Sequence, residues 1–327
     1  MSEEYTLIEA SLDEKWDKFV DDSANGTIFS KSYYLISSNV NYKLFYCYKK
    51  EELRAGIAVI ESNDKKNLIL NDTIIYNGLM YCKPTNNQNH SQQFSEQFKI
   101  QSFISKELLD LYVDIELSLH PSIADVRAFL WVNYGERKPQ YNTKIRYTTY
   151  LDIKDFKLSK SLEDISIYAK SSISRKQQIR YSIKKGYKTV EADDSELFID
   201  FYEKTMNRQG IDIEIHKLNS MKNLIDELLT RKVAKIYCSY DENGQLGSMA
   251  FFGWDNKRAY YIFGANDPAR RNGHSGTSVL WDAFYDLSAL GIKEVDLEGV
   301  NSPHRGWFKL SFGGDLIPYY EVQLENK

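Results

Sequence analysis

A chain of 327 residues is longer than one hydrophobic core usually organises, so two domains of roughly 150 residues each are expected. With 42% apolar and 27% charged residues the chain is outside the disordered, collagenous and coiled-coil classes. A net charge of −4 and a pI of about 5.9 argue against non-specific nucleic-acid binding, although a local basic patch stays open. No apolar run approaches the roughly 18–20 residues of a membrane span. The start, MSEEYTLIEASLDEKW, is acidic and does not read as a secretion signal. Cys47, Cys82 and Cys238 show no CxxC spacing, so neither a disulfide framework nor a zinc knuckle is expected. The expectation is a soluble, cytoplasmic, metal-free protein.

In chain order, YKLFYCY (42–48) and RAGIAVIE (54–61) read as two strands joined by a charged turn, and TIIYNGLMY (73–81) as a third. The polar text at 83–93 reads as a surface loop. A helix over 91–109 follows from the spacing of Phe94, Phe98, Phe103, Ile104 and Leu108. LYVDIELSL (111–119) alternates like a strand, 122–134 is more helical, and KIRYTTYLDI (144–153) returns to strand. These residues, 1–153, form the first expected domain.

The second, 154–327, begins with linker-like text around KDFKLSKS. One long helix is predicted over 161–185, a strand at YKTVEA, and helices over 195–208 and 220–230. Residues 233–266 read as three antiparallel strands turned at DENG and DNK. A helix over 277–290, the strand KEVDLEG, a short helix at WFKL and a last strand IPYYEVQL complete it. The fold class is therefore mixed α/β.

The segment YYIFGANDPARRNGHSGTSVLWDAF (260–284) carries the most chemistry. A strand empties into a turn rich in Arg and Gly that opens a helix, where backbone N–H groups have no intrahelical partner and the helix dipole adds positive charge. Gly273 and Gly276 permit close approach of an oxyanion, Arg270 and Arg271 add charge, and Ser275 and Thr277 carry hydroxyls. This is a seat for a pyrophosphate. The same text also fits an ordinary left-handed turn with exposed arginines. It is neither GxGxxG nor GxxxxGKS, so dinucleotide-fold and P-loop readings fail.

Arg270-Arg271-Asn272-Gly273-His274-Ser275 resembles the R/Q-x-x-G-x-G/A acyl-CoA signature of the GNAT N-acyltransferases, with Ser275 where that family usually has Gly or Ala. TIFSKSYYL (27–35), SRKQQIRYSIKKG (174–186), FYEKTMNRQG (201–210), YYIFGAN (260–266) and GWFKLSFGG (306–314) occur in order, and together they resemble the FemABX-like branch, in which two GNAT domains are fused. The resemblance covers nearly the whole chain. It implies two GNAT-like domains, each with a mostly antiparallel central sheet flanked by helices. Catalysis and acyl-CoA binding fall to the second, and the first helps to bind the acceptor. It also implies that coenzyme A, as acyl-CoA, is held by residues 270–277, His274 included. Main-chain N–H groups around Phe263 and Gly264 polarise the carbonyl.

A base for the acceptor amine needs a carboxylate or histidine within direct or one-water reach. DLEGVNSPHRGWFK offers Asp296, Glu298 and His304, and the first two share a face if the strand continues. Glu298 capping a loop or pairing with Arg305, or a solvent wire with no base, are the competing readings. Lys309 matches the lysine of the family's F-K-x-x-F segment, which the resemblance places beside the transferring carbonyl. Its other reading is a stem packed over aromatics with its ammonium in water.

Lys176, Arg180 and Lys184 form an i, i+4, i+8 stripe of the kind usually solvated. By resemblance Arg180 and Lys31 contact an acceptor diphosphate, while Tyr33, Tyr34, Tyr76 and Tyr202 are aromatic faces able to stack on a sugar or base, or to serve as packing among the 24 tyrosines. His216 is a candidate acceptor contact; His90 and His120 carry no pattern. Three functions fit. The first is acyl transfer from acyl-CoA to a nucleotide-linked amino sugar for surface polysaccharide. The second is Fem-type, aminoacyl-tRNA-dependent transfer to a cell-wall precursor, and the third a non-catalytic double-GNAT binding protein. The acidic pI and the RRNGHSG turn favour the first.

Overall fold

The computed structural model describes residues 4–84, 87–267, 269 and 274–325. Arg270, Arg271, Asn272 and Gly273, half of the expected phosphate seat, lie outside the described residues. The chain divides into two units, Met1–Arg146 with Pro318–Lys327, and Tyr147–Ile317. The expected boundary after residue 153 therefore falls inside the second unit. The reason is packing: Ile153, at the end of the predicted strand, and Phe156, in text that reads as linker, are fully buried in the second unit's core.

In the first unit, β1 (Tyr5–Glu9), β2 (Asn41–Lys49), β3 (Glu52–Glu61) and β4 (Gly78–Tyr81) form an antiparallel sheet in that order. Only the end of the expected third strand pairs. Helix α1 (Glu14–Asp22) was not expected from the sequence. Asp13 accepts the Trp16 N–H at its start, and Trp16, Phe19 and Val20 bury at i, i+3, i+4. The helices α2 (Ser32–Ser37), α3 (His90–Leu111) and α4 (Arg127–Leu130) follow. α4 is a single turn of the longer helix predicted. β5 (Ile115–Ser118) pairs with Glu321–Leu324 of the chain's last strand.

Gly56 lies against Phe19, whose Cε1 is 2.4 Å from where a Cβ would stand. Gly56→Ala is expected to destabilise this unit by about 1–3 kcal/mol through overpacking. Thermal unfolding of the variant alone and combined with Phe19→Leu checks it. The smaller side chain should restore part of the loss.

The second unit's sheet runs β6 (Asn142–Asp152), β11 (Glu294–Asp296), β10 (Ala259–Asn266), β9 (Leu246–Trp254), β8 (Ala234–Tyr240), β7 (Lys188–Ala192). The β10–β11 pair is parallel and the rest antiparallel. β12 (Asp315–Leu324) closes the chain. The sheet is flanked by α5 (Ser166–Lys170), α6 (Ile173–Lys184), α7 (Ser195–Asn207), α8 (Ile215–Thr230), α9 (Ser275–Ala289) and α10 (Pro303–Leu310). Trp281, Phe284 and Leu287 of α9 share a core with Phe252, Val295 and Phe312. Burying each large side chain contributes about 1.5–3 kcal/mol.

The single helix predicted over 161–185 is broken at Ser171–Ser172, both extended. The Ser171 hydroxyl donates to Ile167 O and Phe312 O, and the Ser172 N–H donates to Ser311 O. Ser172 then caps α6 through the Arg175 N–H. Ile173 and Ile183, expected on the apolar stripe, are 85% and 57% exposed; the buried face is Arg175, Ile179 and Ser182.

Candidate active site

Three features of the second unit converge through named contacts. The first is β10. Its pairing with β9 shifts register between Tyr261 and Phe263, making Ile262 an extra residue. A bulge leaves ladder groups locally unpaired and increases twist. Phe263 and Gly264 follow directly. Gly264 has no room for a side chain, since a Cβ there would lie 1.6 Å from the Tyr261 hydroxyl. That phenol is raised by burial first, then by Tyr202 and Glu298.

The second is the segment after β11. Asp296 and Glu298 come together, but not by strand alternation, because β11 ends at Asp296 and Glu298 is left-handed at φ 56°. The fully buried Asp296 carboxylate accepts the Glu298 N–H at 2.7 Å through Oδ1, and the Thr148 hydroxyl donates to the same oxygen. This Asp296 contact holds a conformation that a glutamate rarely adopts. Glu298 is 4% exposed, and its Oε1 has no partner among the described residues. Burial, then the Asp296 charge, push its carboxyl well above the usual range, with Lys309 opposing.

Lys309, on α10, is the third. It is half-buried, its ammonium 5.3 Å from the centre of the Tyr261 ring and 3.4 Å from Gly299 O. Burial lowers its pKa, against the pull of Glu298 and Asp296. Burial draws this carboxyl toward neutrality and this ammonium toward the free amine. Groups shifted in this way suit proton transfer at neutral pH.

Next to β10, α9 begins without a side-chain cap, on His274 in the left-handed region. The amides at a helix start carry partial positive charge. The hydroxyls do not point outward. Ser275 Oγ is 2.7 Å from Ser248 Oγ, and Thr277 Oγ1 donates to Gln178 Oε1 at 2.9 Å. Gly276 meets Asn266, whose Oδ1 lies 2.6 Å from where a Cβ would stand. Ser275, Gly276 and Thr277 thus pack the helix start against β9, β10 and α6, and the Thr277 N–H donates to His274 O at 2.9 Å. His274 is lowered by burial first, then by Arg175 and Lys185.

The remaining expected residues are scattered. His304 is exposed at the start of α10. His216 lies on α8 rather than on a strand, 69% exposed and 3.1 Å from Glu214. Arg180 is exposed on α6, as a solvated stripe predicts. Tyr202 is half-buried, stacked on Phe198 and edge-on to Phe263. In the first unit Tyr33 is half-buried on α2, while Lys31 is buried with its ammonium on Asp21 at 2.7 Å and Asp17 O at 3.0 Å. Lys31 is therefore a compensated interior cation, contrary to the expected phosphate contact. Sequence reasoning missed Thr148, Tyr261 and Arg175. Arg175 lay in a quoted motif, and the apolar residue at i+4, Ile179, marks its face as the buried one.

A family model described as an acetyltransferase (GNAT) domain matches residues 174–306. The FemX crystal structure superposes with a TM-score of 0.64 at 11% identity, covering 96% of each chain. Residues 174–306 carry a GNAT acyltransferase domain, and the chain has the double-GNAT fold seen in FemX. A tandem GNAT protein from the clavulanic acid biosynthesis pathway matches this acyltransferase at 9% identity, TM-score 0.54, over 98% of each chain. A GNAT-family acetyltransferase from Colwellia psychrerythraea gives 11%, 0.52, and coverage of 98% of this chain and all of that one. No curated protein matches the acyltransferase at a significant level. Among its described residues no helix is long and apolar enough to cross a membrane.

Proposed function

We propose that the protein transfers an acyl group from acyl-CoA to the primary amine of a nucleotide-linked amino sugar for surface polysaccharide, with catalysis in the second unit. The observation that carries acyl transfer to an amine is the buried Glu298 carboxyl with an oxygen unpartnered among the described residues, together with the Lys309 ammonium over Tyr261 beside the β10 bulge. Acyl-CoA supplies an activated thioester carbonyl. The uncapped start of α9, with His274 to Thr277 and the neighbouring residues 270–273, receives its diphosphate. Main-chain N–H groups at Phe263 and Gly264 polarise the carbonyl oxygen; one such donor contributes about 3–4 kcal/mol to the transition state. Glu298, held in place by Asp296 and Thr148, takes the proton from the amine as its nitrogen bonds the carbonyl carbon; the C–S bond then breaks and coenzyme A leaves as its thiolate, while Lys309 balances the negative charge that develops.

The superposition on FemX favours a second reading, Fem-type transfer from an aminoacyl-tRNA to a cell-wall precursor. A thermal-shift panel separates the two. A ligand bound only by the folded state stabilises by RT ln(1 + [L]/Kd), about 2.7 kcal/mol at a hundredfold excess over Kd. Acetyl-CoA or a longer acyl-CoA should raise Tm, with a further rise from a nucleotide amino sugar. A rise with aminoacyl-tRNA alone supports the Fem-type reaction, and no rise with any donor overturns both.

A further inference from the structure

Arg175 is the charge in the second unit that the proposed chemistry does not use. It is 5% exposed, and no described carboxylate forms an ion pair with it. Burial lowers its pKa to about 10, so it remains cationic at neutral pH. Its donors all go to neutral acceptors. Nε and Nη2 reach Ser311 Oγ at 3.0 and 2.8 Å, Nη2 also reaches Phe308 O at 3.3 Å, and Nη1 reaches Gln178 Oε1 at 2.6 Å. Nη1 also donates to the Thr277 hydroxyl. The guanidinium plane lies 4.4 Å from the ring centres of both Phe308 and Phe312.

These partners lie at two ends that matter. Thr277 belongs to the first turn of α9. Phe308 and Ser311 bracket Lys309 at the C-terminal end of α10, where a cation is favoured by the helix dipole. Stability alone gives no reason for a charge here, since an apolar side chain of similar volume often replaces a buried ion at no loss. A planar five-donor fork does what an apolar side chain cannot: it fixes two elements in a set relation.

We propose that Arg175 is a positioning residue that ties the first turn of α9 to the C-terminal turn of α10, so that an anion at the α9 start fixes Lys309. This rests on the reading of α9 as the seat of the donor's diphosphate. An incoming anion there meets the unbalanced Arg175 charge. The guanidinium is drawn toward it, and α10 follows through the Ser311 and Phe308 bonds and the contacts with the Phe308 and Phe312 rings. The donor then orders the lysine before the amine arrives.

Hydrogen exchange on the full-length protein, with and without coenzyme A, tests the tie. In the wild type, coenzyme A should slow exchange both over 274–280 and over 303–312. In Arg175→Met the slowing over 274–280 should persist while that over 303–312 disappears. Arg175→Lys, which keeps the charge without the fork, should behave like Arg175→Met. A merely structural arginine would raise exchange over 303–312 equally with and without coenzyme A, so the ligand-induced difference is the readout. Slowing over 274–280 with none over 303–312 in the wild type overturns the tie, as does slowing over 303–312 that survives in both variants. No slowing over 274–280 overturns the donor-seat reading, and the tie with it. Should Arg175→Met fail to fold, Ser311→Ala removes two of the three hydrogen bonds at the α10 end and is expected to reduce the ligand-induced slowing over 303–312 while that over 274–280 persists; undiminished slowing over 303–312 overturns the tie.

Discussion

Lys309→Ala is expected to lower turnover at least tenfold, measured as thiol release from acyl-CoA with the acceptor that the ligand panel nominates. The ammonium has three N–H donors, yet among the described residues it makes only a marginal contact with Gly299 O at 3.4 Å and faces the Tyr261 ring. A half-buried cation with uncommitted donors stabilises negative charge without reorganising at the moment of reaction. Removing one such donor from an oxyanion site typically costs a factor of about 10²–10³ in kcat. Because the charge develops only in the transition state, kcat and kcat/KM should fall together, with KM for the donor unchanged. Lys309→Arg should not rescue, since a planar fork cannot occupy the position of a compact ammonium. The fold should survive, because burial works against this ammonium rather than with it. An unchanged rate removes Lys309 from the chemistry, and a collapsed Tm makes it structural.

Local pattern accounts for what the sequence revealed. The meander β8–β9–β10 was legible because DENG and DNK fall between alternating runs, and Gly244 at φ 72° supplies the left-handed residue that the first turn needs. α9 was legible from its periodic apolar face. The features that were not legible depend on partners far along the chain. The break at Ser171–Ser172 needs the carbonyls of Phe312 and Ser311, and Arg175 is buried only because Phe308 and Phe312 close over it. Lys31 reads as an exposed basic residue, but Asp21, on a helix that the sequence reading passed over, draws it inside. α1 could have been found: Asp13 followed by Trp16, Phe19 and Val20 is a cap and an apolar stripe in eight residues. At the site, Lys309 and the carboxylates stood out by residue type. Their conformations did not, because Glu298 takes its left-handed turn only where the Asp296 carboxylate and Thr148 meet it.

Glu298→Gln is expected to abolish the acidic limb of the pH–rate profile and to lower the neutral-pH rate at least tenfold. Burial first, and Asp296 second, hold this carboxyl protonated to a pH well above the roughly 4.3 of an ordinary glutamate. A base must be deprotonated to act, so kcat/KM in the wild type rises with pH through a limb displaced above the usual carboxylate range. Glutamine cannot ionise, and the limb should vanish with it. Stability gives an independent check with a defined sign. A folded-state pKa raised above the unfolded value contributes stability that is fully present below about pH 4.3 and lost as pH rises through the folded value. Glutamine does not lose it, so the Tm of the variant should gain on that of the wild type as pH rises across that window. A limb that survives Glu298→Gln and disappears in His304→Gln transfers proton removal to His304. A limb that survives both leaves the amine to lose its proton to solvent, and Glu298 then serves only to set the environment of Lys309.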